Sequence, residues 1–185
     1  MRRFDQQKEN AVNELKASIG VGDVDEGIIP LLERINSLGC YYTTSSCAGR
    51  ISILHDLGGK GVNRFLGKWH RKVAFREVWI VLNAKEGVAW FMYEPPILHV
   101  AARTVADADK MMTVVREAGF KHSGVQSVRE GRVMLEIMDT GRIDAPVMSG
   151  GKVLVGEDYV SFLVSTANEK LEKSRLRVKR LEDMI

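Results

Sequence analysis

Only two cysteines, Cys40 and Cys47, occur in the 185 residues, too few for a disulfide framework or a four-thiolate zinc site. The four histidines (His55, His70, His99, His122) stand without CxxC or HExxH spacing, so no metal is expected. No apolar run approaches the ~20 residues of a membrane span. The N-terminus, Met1-Arg2-Arg3-Phe4-Asp5, turns polar at once and lacks the ~7–15 apolar residues of a signal peptide, so a cytoplasmic protein is expected. A dinucleotide fingerprint is missing too. His55-Asp56-Leu57-Gly58-Gly59-Lys60-Gly61 fails as G-x-G-x-x-G and lacks the Lys-Ser/Thr pair of a phosphate loop. A Rossmann-type methyltransferase or dehydrogenase therefore receives no motif support.

What is present describes a globular chain. Hydrophobic residues make up 45% and charged residues 28%, enough apolar surface for a core, which excludes wholesale disorder. The net charge of +3 is mildly basic, compatible with a nucleic-acid partner without identifying one.

Residues 4–19 read as a helix with Phe4, Ala11, Val12, Leu15 and Ile19 on one side. Asp23 or Asp25 caps a second helix that carries Pro30 near its start, with Gly39 as its left-handed end. Cys40–Thr44 and Ile51–His55 read as strands around the polar loop Ser45–Arg50. Residues 57–72 read as a connection with one short helix. Val78–Leu82, Val88–Tyr93 and Ile97–Arg103 read as strands, 105–118 as a helix ended by Gly119, and Val125–Arg129 and Val133–Met138 as two more strands. Residues 139–156 read as loop, and a long charged helix runs from Glu157 to about Asp183. This order predicts an α+β fold, mostly antiparallel, not a doubly wound parallel sheet. A single domain over 1–185 is expected. The order helix, glycine, strand, loop, strand recurs, which suggests two pseudo-repeats over about 24–93 and 96–185.

The sharpest local feature is Tyr41-Tyr42-Thr43-Thr44-Ser45-Ser46-Cys47-Ala48-Gly49-Arg50. Hydroxyls and turn amides grip a carboxylate or phosphate, and an arginine fork does so bidentately. A plain turn uses Ser and Gly for local bonding, but four consecutive Thr/Ser residues exceed that need. Cys47 has no neighbouring base and reads as a shape-setting thiol. A second feature is basic: Lys60, Arg64, Lys68, Arg71, Lys72 and Arg76 fall within residues 59–76 without an acid, interleaved with Phe65, Trp69 and Phe75. Cations neutralise phosphates and aromatics stack on unpaired bases, so RNA contact is expected here, against the alternative of a solvated face. His99 lies in an apolar strand and suits a general base if its strand end lines a pocket; otherwise it is a satisfied core histidine. Asp25 is either functional or only a cap.

Tyr41–Ile53, YYTTSSCAGRISI, resembles the signature of the tRNA wybutosine-synthesising protein 3 family. Val24-Asp25, Glu94-Pro95-Pro96-Ile97-Leu98-His99-Val100, Gly119–Val125 and the closing helix, with Asn168 and Arg177–Leu181, are similar to that family's further segments, in its order. One stretch departs: Ala17–Gly22 stands where members often carry D-x-S-x-K-G, so only Asp25 carries over there. The resemblance implies an S-adenosylmethionine-dependent methyltransferase with a fold other than Rossmann. Its implied substrate is the tricyclic demethylwyosine base beside the anticodon of tRNA(Phe), methylated on a ring nitrogen. By this resemblance Ser45, Ser46, Cys47, Gly49, Arg50 and Ser123 hold the cofactor, and Asp25, Ser46 and His99 serve catalysis. Lys60, Arg64, Lys68, Trp69, Arg71 and Lys72 grip the anticodon arm. Two other readings remain at this level: a non-catalytic RNA-binding module, and a small-molecule enzyme whose polar loop takes an acidic metabolite.

Overall fold

The computed structural model describes residues 3–59, 61–129 and 131–185. In chain order the elements are α1 (Arg3–Gly20), a 3₁₀ turn (Glu26–Ile28), α2 (Ile29–Ser37), β1 (Tyr41–Cys47), β2 (Arg50–Asp56), β3 (Arg64–Trp69) and α3 (Phe75–Trp79). There follow β4 (Val88–Glu94), β5 (Ile97–Ala102), α4 (Val105–Ala118), β6 (Gly124–Arg129), β7 (Arg132–Met138), β8 (Ile143–Ser149), β9 (Lys152–Val153) and α5 (Glu157–Met184). The fold is α+β with antiparallel pairing throughout the described ladders and a long C-terminal helix.

The chain divides into two compact units built from interleaved stretches. The first takes the stretch ending at Ala48, then Pro96–Thr140 and Ser174–Ile185; the second takes Gly49–Pro95 and Gly141–Lys173. The helix–glycine–strand echo does not extend to pairing: β1 and β2 belong to different sheets, whereas β6 and β7 pair with each other.

In the first unit a four-stranded sheet has the order β1-β5-β7-β6. Side chains alternate across a strand. Leu98, Val100 and Ala102 of β5 enter one core with Leu135 and Ile137 of β7, Leu31, Leu32 and Ile35 of α2, and Met111 and Val115 of α4. The end of α5 adds Val178 and Leu181 to that core. Ala101 and Met134 have the opposite parity and meet Phe4 of α1 and Tyr42 of β1 in a smaller cluster. His99 and Glu136 share this second parity. The Tyr41 hydroxyl donates to the Asp107 carbonyl at 2.8 Å, and burial is the first cause that lifts its pKa to about 12. Asp139, 2% exposed at the end of β7, accepts from Ser174 Oγ at 2.7 Å, from the Thr140 amide at 2.7 Å, and from Arg177. Burial opposes its charge, yet these donors together hold its pKa below the ordinary value.

In the second unit a five-stranded sheet has the order β3-β2-β4-β8-β9. Ile51, Ile53, Phe91, Tyr93 and Val147 face the first part of α5 through Val160, Leu163, Ala167 and Leu171. Asn168 clasps Val73 through its carbonyl and amide groups, at 3.0 and 2.8 Å.

Five expectations about local structure change. Ser45–Arg50 is not a loop: β1 runs to Cys47 and β2 starts at Arg50. Residues 57–72 are not a helical connection: Arg64–Trp69 is an edge strand, its alternation masked by the basic side chains that also protect an edge from further pairing. Val78–Leu82 is not a strand; Val78 ends up inside α3, and the apolar run turns over the core instead of joining the sheet. Residues 139–156 carry β8 and β9, with Gly150 and Gly151 at positive φ between them. Gly39 is not a left-handed cap, because α2 ends at Ser37 and Leu38 is already extended at φ −77°.

Candidate active site

The polar run of β1 is a bulged strand. Thr43 pairs with Val100 and Ser46 with Leu98, so Thr44 and Ser45 together oppose His99. A two-against-one bulge re-aims side chains. Here it leaves Thr44 and Ser45 exposed and brings Ser45 Oγ to 3.0 Å from His99 Nδ1. The other ring nitrogen, Nε2, lies 3.2 Å from Glu136 Oε2 on β7. The sheet order β1-β5-β7 therefore lays Ser45, His99 and Glu136 in one row. Nothing in the sequence pairs His99 with Glu136, 37 positions away; only the antiparallel register of β5 and β7 does so.

Beside this row lies a cavity of about 370 Å³. Ala11, Leu15, Val24 and Leu32 form its apolar wall, and Glu14, Ser18, Asp23, Thr44, Ser45 and Ser46 its polar one. Ser46 Oγ is buried with no hydrogen-bond partner among the described residues. Such an atom costs about 1–3 kcal/mol unless something bonds it. Asp25 stands next to the wall and caps the 3₁₀ turn, accepting from the Gly27 amide at 3.2 Å. Cys47, half-buried, closes β1. Ser123 is committed to structure: its hydroxyl donates to the Phe120 carbonyl at 3.0 Å and accepts from the Met138 amide at 3.2 Å, tying the start of β6 to the end of β7.

Gly49 and Arg50 open the second unit. Gly49 sits at φ +92°, a conformation that suits glycine. The Arg50 fork lies on Glu94, with Nη2 3.0 Å from Oε1 and Nε on Oε2. The carboxylate it grips is thus one of its own unit. The basic residues are anchored as well. Arg64 Nε donates to His55 Nδ1 at 3.2 Å, and buried His55 holds the Glu86 carbonyl at 2.6 Å through Nε2. Lys72 pairs with Glu172. Arg71 grips Glu77 at 2.6 Å. That bond, aided by the Ala74 amide, pulls the Glu77 pKa down to about 2. Lys68 lies over the Phe65 ring at 5.8 Å and Arg50 at 5.2 Å. Trp69 is packed against the core and covers Gly67, where a Cβ would run into its ring. The outward-facing aromatic of this strand is Phe65, 43% exposed, in place of the expected Trp69. Lys60 lies outside the described residues.

The family model described as Methyltransferase TYW3 matches residues 6–185. The chain belongs to that family. A Thermococcus sibiricus relative is 44% identical over 100% of this chain and 95% of its own length. It is named as tRNA(Phe) 7-((3-amino-3-carboxypropyl)-4-demethylwyosine(37)-N(4))-methyltransferase. A Pyrococcus horikoshii protein with the same name, numbered 1, is 40% identical over 98% of this chain and 94% of its own. The solved structure of the PH1069 protein from Pyrococcus horikoshii superposes with a TM-score of 0.92 at 39% identity, covering 97% of this chain and 94% of the other. A hypothetical protein from Aeropyrum pernix superposes at 0.73 with 31% identity, over 87% and 99%.

A TYW3 methyltransferase needs a methyl donor, and the β1 cavity suits one. Its volume falls within the ~300–1,000 Å³ of small-molecule sites. Its apolar wall suits an aromatic ring face, and the carboxylates of Glu14 and Asp23 suit hydroxyl or ammonium groups. Ser46, whose buried hydroxyl has no partner among the described residues, stands on the same wall. Among the described residues no helix is long and apolar enough to cross a membrane.

Proposed function

We propose that this TYW3 methyltransferase uses S-adenosylmethionine to methylate the N4 nitrogen of the 7-aminocarboxypropyl-demethylwyosine base beside the anticodon of tRNA(Phe), in the cytoplasm. The observation that carries the reading is the near-full-length identity to relatives bearing that name, 44% in the Thermococcus sibiricus case. S-adenosylmethionine supplies a sulfonium methyl for direct transfer to a nucleophile.

The chain's own part is to position, exclude water and take a proton. Ser46 stands at the donor's polar end in the cavity, Leu15, Val24 and Leu32 cover its ring, and Ser45 faces the acceptor side. Asp25, by capping the 3₁₀ turn, fixes Asp23 and Val24 on the cavity wall. Holding donor and acceptor in line removes much of the entropic barrier. His99 takes the proton released at the ring nitrogen. Cys47 and Gly49 shape the end of β1 and its exit, Ser123 fixes the turn beside β7, and Arg50 holds Glu94 and lies over Phe65. In the second unit Arg64, Lys68, Arg71 and Lys72 offer the anticodon arm a positive strand edge. Lys60 extends that run in the sequence, Trp69 stiffens it, and Phe65 offers a stacking face.

The test is a methyl-transfer assay on tRNA(Phe) carrying the unmethylated tricyclic base, with labelled S-adenosylmethionine and nucleoside digestion. One added methyl on that base supports the reading. Tight tRNA binding without methyl gain refutes it in favour of an RNA-binding module.

A further inference from the structure

We infer that Ser45, His99 and Glu136 form a proton relay, with Ser45 Oγ as the group that meets the substrate's ring N–H and Glu136 as the residue that sets the histidine's tautomer. The inference rests on the methyltransferase reading above and adds a residue, Glu136, that neither the sequence motifs nor the family resemblance singled out.

Donors and acceptors fix the direction of each bond. A carboxylate only accepts, so the 3.2 Å contact between Glu136 Oε2 and His99 requires the proton on Nε2. In neutral His99 that leaves Nδ1 bare, as an acceptor. Two groups of Ser45 face it, the hydroxyl at 3.0 Å and the carbonyl at 3.3 Å; the carbonyl only accepts, so toward a bare Nδ1 the hydroxyl is the donor. With its hydrogen directed at Nδ1, the Ser45 oxygen turns its lone pairs away from the imidazole. Ser45 is exposed and lines the cavity together with Ser46, so its remaining lone pairs are open to a bound substrate. A hydroxyl so arranged accepts a hydrogen bond from a ring N–H.

The transfer then balances. The nitrogen's electron pair forms the new N–C bond, and the C–S pair stays on the donor's sulfur, whose positive charge disappears. The N–H bond breaks and its proton passes to Ser45 Oγ, while the Ser45 proton passes to His99 Nδ1. The imidazolium formed is supported on both sides. Its Nε2–H remains on Glu136, and its Nδ1–H finds the Ser45 carbonyl at 3.3 Å in addition to the hydroxyl. Gln126 Nε2, at 3.5 Å from the same Glu136 oxygen, flanks the carboxylate on β6. The His99 side chain is 20% exposed and that of Glu136 35%, so the proton has a path to water once transfer is complete. Ser45 is the catalytic residue here; Glu136 is a positioning residue that acts through the ring.

Two measurements test the relay on the full chain. Nitrogen-15 spectra of the free protein read the tautomer without any activity. The relay predicts that neutral His99 shows a protonated Nε2 and an unprotonated Nδ1, and that Glu136→Leu blends the two signals. The reverse tautomer in the wild type would overturn it. In the methyl-transfer assay, Ser45→Ala and His99→Gln are expected to lower kcat by about 10²-fold or more with KM for tRNA within a factor of about three. Glu136→Gln should lower kcat by about tenfold, and Ser45→Thr, which keeps a hydroxyl, should recover most of the rate. An unchanged kcat in Ser45→Ala or Glu136→Gln, beside an active wild type, would overturn the relay alone. A wild type that transfers no methyl would overturn the relay together with the function it rests on.

Discussion

Ser46→Ala should make the free protein more stable and the donor complex weaker. Ser46 Oγ is buried and has no hydrogen-bond partner among the described residues, while its neighbours on β1 line the cavity. An unsatisfied buried hydroxyl costs about 1–3 kcal/mol, and alanine removes both the group and its cost. Taking about 1 kcal/mol as the gain, a chain of 185 residues should melt about 2–4 °C higher. With the donor present the sign reverses. A hydrogen bond worth about 1.4 kcal/mol corresponds to a tenfold weaker Kd. At a donor concentration about 100 times the wild-type Kd, ligand stabilisation is about 2.7 kcal/mol for the wild type and about 1.4 kcal/mol for the variant. Melting curves with and without S-adenosylhomocysteine, joined to calorimetric titration, read both effects. A variant that melts lower when free, and binds the ligand as tightly as the wild type, would refute the assignment of Ser46.

Other outcomes follow from the packing. Asp139→Asn should cost about 1.5–3 kcal/mol in urea melts, because Ser174 and Arg177 lose a charged acceptor in a buried position. Both Asp139 and Glu77 are held below their ordinary pKa, Glu77 at about 2, so their stabilisation is complete above about pH 5 and is lost progressively as pH falls below it. Asp139→Asn should therefore lose less stability than the wild type when both are taken from about pH 5 to about pH 3. Gly87→Ala should lower the melting temperature by several degrees: its φ is +68° and the new Cβ would collide with the Asp56 carbonyl oxygen. In RNA titrations, Lys68→Gln combined with Arg64→Gln should weaken binding and flatten the slope of log K against log salt by about 0.7–0.9 for each phosphate no longer neutralised. An unchanged slope would remove the β3 edge from the RNA interface.

The parts of the fold that were legible in the sequence are those whose signals are local. Gly119 ends α4 at φ +106°, a signal of backbone chemistry within one turn. The apolar alternation of β4, β5 and β7 survives into the sheets. Strands at the sheet edge or next to it were hidden. Three of the six residues of β3 are basic or glycine, and β8 carries Pro146 opposite Trp90, a residue tolerated there by the register irregularity. Val78–Leu82 has the composition of a strand, but the core took it as a short helix and a turn. The site divides in the same way. Four successive hydroxyl residues announced the polar stretch of β1, and Asp25 announced its cap. The bulge that exposes Ser45, the register that sets Glu136 beside His99, and the orphaned hydroxyl of Ser46 are products of pairing between distant strands. Arg50 and Ser123 were expected to meet a ligand; in the structure Arg50 holds Glu94, and Ser123 bonds the Phe120 carbonyl and the Met138 amide.

The proposal that the β1 cavity of the first unit takes the methyl donor is tested most directly by a crystal structure of the protein with S-adenosylhomocysteine. The ligand is expected among Leu15, Val24, Leu32 and Ser45, with one of its polar atoms within hydrogen-bond distance of Ser46 Oγ. A fully occupied ligand bound elsewhere, with this cavity holding only water, would contradict the assignment.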